Sequence, residues 1–172
     1  IVFKKLLKST GKATNPSLST GAQICFHKFP LSEAIKRAER LLNDVSKKEL
    51  NKNATTISLI QRHDEALRLT VSNERLPDIR EIRNALFNAD MSHTTPHRIA
   101  MQEQIIDTMR KENKEVLMKQ YLLSIFAATR DAGTSRESTE KIVNNLMKFD
   151  TTKTMIQALL FARFLAGDKQ HA

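Results

Sequence analysis

Five histidines, one cysteine and nineteen Asp and Glu residues are the groups in this 172-residue chain most able to ligate a metal or move a proton. Their spacing gives little. His93 and His97 stand four apart, as two ligands on one helix face would, but Pro96 lies between them and no carboxylate motif surrounds them. They do not read as a metal pair. His63-Asp64 has the look of a nuclease dyad, yet it falls between two strand patterns with no further ligands, so it reads as a turn. Cys25 has no histidine close by except His27 and reads as a half-buried strand thiol. A lone cysteine excludes an internal disulfide and a cysteine-based zinc site within the chain. It also fits a reducing, cytoplasmic setting. Neither Gly-Gly nor Asp-Asp occurs anywhere.

Charge is more telling than any single residue. The net charge is +9. Residues 1–71 hold 13 Lys and Arg against 6 Asp and Glu, whereas residues 72–172 hold 15 against 13. A basic first part beside a nearly neutral second part points to a polyanion facing the first. Aromatic residues make up 5%, with no Trp, so no ladder of base-stacking rings is evident. No apolar run approaches the roughly 20 residues that span a bilayer. No signal-peptide pattern follows Ile1, and the missing Met reads as a fragment or incomplete coverage.

The elements that must position these residues fall into two patterns. Residues 1–9 read as the end of a helix stopped by Gly11. Residues 17–26 alternate as a strand, with Leu18, Thr20, Ala22, Ile24 and Phe26 on one face and Ser19, Gly21, Gln23 and Cys25 on the other. Pro30 precedes a helix over 31–47 whose one-sided stripe is Leu31, Ala34, Ile35, Ala38, Leu41, Leu42 and Val45. After a polar linker, strands over 54–61 and 65–71 flank a turn at Gln61 to Asp64. This is an α+β layout, with helices on one face of a largely antiparallel sheet. Beyond Pro77 the pattern is helical only, over 78–88, 95–113, 115–131, 136–148 and 151–166. The last is strongly apolar and belongs at the centre of a bundle. A domain boundary is therefore expected between Val71 and Pro77, giving 1–71 and 72–172.

Taken in order, Ser17-Leu18-Ser19-Thr20-Gly21, Phe29-Pro30-Leu31-Ser32-Glu33-Ala34, Arg37-Ala38-Glu39, Lys52-Asn53-Ala54 and the turn Arg62 to Glu65 resemble the second palm domain of the large subunit of type III CRISPR effector complexes. Thr20 stands where that family has Ala, and Asn51 where it has Gly before the lysine. The resemblance implies a partial ferredoxin-like palm over 1–71, followed by an all-helical, thumb-like domain over 72–172. It implies that the whole subunit makes cyclic oligoadenylate from ATP, with divalent Mg or Mn held by a Gly-Gly-Asp-Asp hairpin. That hairpin would lie upstream, so this piece is not expected to catalyse alone. In the same reading Ser19, Gly21 and Lys52 approach ATP: Ser19 through its hydroxyl, Gly21 by leaving room, Lys52 as a point charge on the triphosphate. The helical part would dock on the small helical subunit, near the crRNA–target RNA duplex. A repeat-associated subunit holding the crRNA 5′ end completes the implied partners; no membrane is implied. Arg80, Arg83, Arg98 and Arg110 are the interface candidates, each against the plainer reading of a solvated helix face.

Two other readings stand beside this one. The chain could be the tail of a different nucleotide cyclase, such as a diguanylate cyclase, though about 100 further helical residues argue against that. It could also be a stand-alone basic helical adaptor or nucleic-acid-binding protein with a small α+β head.

Overall fold

The computed structural model describes residues 17–49, 53–61, 64–88, 90–129 and 136–167. The expected helix over 1–9 with its Gly11 stop, Asn51, Lys52, the centre of the hairpin turn at Arg62 and His63, and Gly133 lie outside those residues. The chain divides into two compact units, Ile1–Ala66 with Thr70–Asn73, and Leu67–Leu69 with Glu74–Ala172.

The first unit is built on β1 (Thr20–Ile24), α1 (Leu31–Arg40, continued by a π-type helical stretch Leu41–Glu49) and β2 (Ala54–Gln61), with β3 (Asp64–Ser72) closing the strand order β1-β2-β3. β1 and β2 run parallel, with Thr20 opposite Thr55, Gly21 opposite Thr56 and Ile24 opposite Leu59. The sheet is thus mixed, where the sequence pattern led us to expect a largely antiparallel one. The cause is the connection: a helix carries the chain from the end of β1 back to the start of β2, which is how adjacent parallel strands are joined. A residue pattern alternating in twos cannot report that direction. β2 is central, and Ala54, Thr55, Thr56, Ser58, Leu59 and Ile60 are all buried.

α1 starts at Leu31 behind Pro30, whose fixed φ of −59° leads the chain into the first turn. Its seat on the sheet is set by Gly21. A Cβ added there would stand 2.4 Å from the Ala38 carbonyl oxygen and 2.5 Å from the Leu42 amide nitrogen. Helix backbone and strand backbone meet, and only glycine permits that approach. The stretch Leu31–Arg40 contains no buried residue. Leu31 is 74% exposed and Ile35 50% exposed, so the apolar stripe extends past the part of the helix that the sheet covers. Past Leu42 the coil widens, and Val45 and Ser46 turn inward and are buried.

The second unit is helical: α2 (Leu76–Phe87), α3 (Thr95–Met101), α4 (Glu103–Lys111), α5 (Glu115–Ala128), α6 (Arg136–Met147) and α7 (Thr152–Ala166). The single helix expected over 95–113 is broken at Gln102, where φ is −101° and ψ 14°. α4 ends in a Schellman turn. Asn113 adopts φ 54°, its amide donates to the Arg110 carbonyl, and the Lys114 amide donates to Met109. α7 is central, packing on α2, α3 and α4. Ala158, Ala162 and Ala166, all buried, recur every fourth residue and allow close helix approach. Its start is capped by Thr151, whose Oγ1 accepts from the Thr154 amide at 3.0 Å.

A polar ladder joins α2 to α6. Lys148 Nζ lies 3.1 Å from Asp78 Oδ1 and 2.7 Å from Asn145 Oδ1. Asn145 Nδ2 donates to Glu81 Oε2 at 2.7 Å, and Lys141 Nζ is 3.3 Å from Glu81 Oε1. Arg75 binds the other oxygen of Asp78 at 3.1 Å.

The Gly21 contact yields the first prediction. Gly21→Ala puts a methyl against backbone that no rotamer change can clear. We expect a loss of about 1–3 kcal/mol or more in a denaturant titration of the full chain. A variant as stable as the parent would show that the helix seat lies elsewhere.

Candidate functional site

The edge of the sheet where β1 and β2 begin gathers the candidate residues. Asn73, just after β3, ties this edge together. Its Nδ2 donates to the Leu18 carbonyl at 2.6 Å, and its Oδ1 accepts from Thr55 Oγ1 at 2.6 Å. Its backbone amide donates to the Asn53 carbonyl at 3.0 Å, and the Asn53 side-chain oxygen lies 3.4 Å from Nδ2. Asn53 itself has φ 55°, a left-handed geometry that Asn tolerates better than most residues.

A second clamp acts two residues further along β1. Ser46, fully buried in the wide stretch after α1, is hydrogen-bonded to the Thr20 carbonyl at 2.8 Å and to Thr56 Oγ1 at 2.7 Å. The carbonyls on either side of Ser19 are therefore both held, one by Asn73 and one by Ser46. Ser19 itself is half-buried. Gly21 serves the strand–helix approach: the space beside it, expected to admit a ligand, is filled by the α1 backbone. Lys52 lies outside the described residues, and its neighbour Asn53 belongs to the Asn73 knot.

Electrostatics along α1 are positive. The Arg37 guanidinium, hydrogen-bonded to Glu33 at 2.9 Å, holds that exposed carboxyl below the usual carboxylate value, and the charges of Arg40 and Lys36 act in the same direction. Among the described residues no group of three His, Cys, Asp or Glu side chains could hold a metal ion. The divalent ions implied by the resemblance thus find no ligand set there. His97, one of the two spaced histidines, contacts Arg163 through a ring nitrogen. No helix among the described residues is long and apolar enough to cross a membrane.

The four arginines expected at an interface are spread over the second unit. Arg80 and Arg98 are exposed. Arg83 lies over the Phe87 ring at 5.1 Å and donates to Asn84 Oδ1 at 3.1 Å. Arg110 is turned inward and donates to the Phe149 carbonyl at 2.7 Å. Burial pushes its guanidinium pKa down, against the opposing pull of Asp107, Asp150 and Glu115. Arg110 is thereby occupied within its own unit, a tie between residues 39 apart that helical periodicity cannot disclose.

Sequence reasoning missed Asn73 and Ser46. The available signal for Asn73 was a side chain able to both donate and accept, directly after a strand. For Ser46 it was a small hydroxyl beside the apolar stripe of α1.

A parallel strand pair bridged by a helix, with a hairpin partner strand and a polar knot at the leading edge, defines a palm-like α+β unit ahead of a helical bundle. Residues 2–56, about a third of the chain, match the family model described as Cas10/Cmr2, second palm domain, and are similar to it. No curated protein and no solved structure matches the chain.

The knot is tested by Asn73→Ala, which leaves the Leu18 carbonyl and the Thr55 hydroxyl without their partner. We expect a loss of about 1–3 kcal/mol by chemical denaturation, with faster amide exchange around residues 53–56. Unchanged exchange there would remove Asn73 as the organiser of this edge.

Proposed function

We propose that this chain is the C-terminal part of the large subunit of an RNA-guided type III CRISPR effector, and that the complete subunit makes cyclic oligoadenylate from ATP once target RNA is bound. The observation that carries the reading is the second-palm-domain match over residues 2–56, on the same β1–α1–β2 segment whose leading edge is fixed by Asn73 and Ser46. Residues 1–71 act as the trailing half of the palm, and residues 72–172 as the helical docking domain.

At the pinned edge Ser19 offers a hydroxyl to the nucleotide, and Lys52 would serve as a point charge on the triphosphate. Gly21 contributes indirectly, by seating the helix that carries Ser46. Bound Mg or Mn would supply charge neutralisation and activation of a ribose hydroxyl, with ligands from outside the described residues. The helical domain would meet the small helical subunit, and it has exposed apolar side chains at Met101, Ile105, Val116 and Leu117 and exposed cations at Arg80 and Arg98 to do so. The repeat-associated subunit, the crRNA and the target RNA complete the assembly, and its setting is cytoplasmic.

Reconstituting the subunit with its partner subunits, crRNA and target RNA tests this. Cyclic oligoadenylate is measured by mass spectrometry after addition of ATP and Mg. We expect Ser19→Ala and Lys52→Ala each to lower the rate by about tenfold or more, while co-purification with the small subunit persists. Failure to assemble, or product formation untouched by both substitutions, would overturn the proposal.

A further inference from the structure

The turn between β1 and α1 carries a feature that the ATP edge does not use. Phe26 to Phe29 form a tight turn closed by the Phe29 amide on the Phe26 carbonyl at 2.9 Å, which leaves His27 and Lys28 exposed at its tip. The two rings meet edge to face, with centroids 5.8 Å apart and planes at 81°. Arg37 lies over the Phe29 ring at 5.4 Å. Phe29 is thus supported on two sides, and it braces Phe26, which is 39% exposed. Lys28 stands in the turn itself and Lys36 and Arg40 on α1 to either side of Arg37, all exposed with Glu39 next to Arg40, and among the described residues none of the three cations is ion-paired to a carboxylate.

A large ring held rigid at the surface among unpaired cations suits one kind of ligand. A folded acidic protein would use the cations but has no need of a braced ring. A nucleic-acid duplex presents phosphates while keeping its base faces stacked. A single strand offers both a phosphate backbone and free base faces, and the two together match this surface. We propose that the β1–α1 turn and the adjoining basic side of α1 bind single-stranded RNA, with a base stacked on Phe26 and phosphates on Lys28, Lys36 and Arg40.

Glu33 does not undo the positive field. Its carboxylate is already engaged by Arg37, and the neighbouring charges of Arg40 and Lys36 also favour its ionised form. The surface is separate from the edge that carries Ser19, and its proposal does not rest on ATP chemistry.

The test uses the full chain and a fluorescein-labelled oligouridylate of about 15 nucleotides, read by anisotropy over about 50 to 200 mM KCl. Phe26→Ala is expected to weaken binding about tenfold without changing the salt slope. Lys28→Gln should lower that slope by about 0.7. The chain has no Trp, so Phe26→Trp introduces a single indole, whose fluorescence should be quenched on binding while affinity is kept. Duplex RNA should bind parent and Phe26→Ala alike. Oligouridylate binding unaffected by Phe26→Ala, an indole blind to RNA, or equal displacement by polyglutamate would each sink the proposal. None of these readouts depends on assembly or cyclic product, so the two proposals fail separately.

Discussion

A strand and a helix can touch backbone to backbone only where one of them lacks a side chain, and here that place is Gly21. The Ala38 carbonyl and the Leu42 amide occupy the volume a Cβ would need. With α1 held that close, the wide stretch that follows brings Ser46 within reach of both β1 and β2. Asn73 holds the same two strands from the other side, through Leu18, Asn53 and Thr55. The leading edge of the sheet is thus fixed by side chains from outside the two strands. Polar groups held this firmly keep a fixed orientation, which loosely held ones do not.

Much of this was legible in the residues because period and length carry the information. β2 occupies the span its alternation marked, and the strongly apolar α7 became the centre of the helical unit. Pro30 marked a helix start for a local reason that needs no tertiary context. What stayed hidden depends on partners far along the chain. The parallel pairing of β1 with β2, the Arg110 tie to Phe149 and the Asn73 knot are choices among distant groups. The break at Gln102 came with no glycine or proline to announce it.

Gly21 was expected to leave room for a ligand, and the close approach it permits is that of the helix backbone. A glycine in a strand implies that something approaches closely. Sequence alone does not say whether that is a ligand or the protein itself, and here helix backbone takes the space.

The ladder between α2 and α6 works as a vernier. Lys148 meets Asp78 only in the observed alignment, since one turn toward the start of α2 would set it beside Arg75, like charge against like. Asn145 is interposed so that Glu81 and Lys148 share one amide, each taking the end it can use. Sliding by a turn would therefore strand several polar groups at once. Greasy contacts between two helices tolerate such slippage; this array of mismatched ends forbids it, and so keeps the bundle to a single alignment.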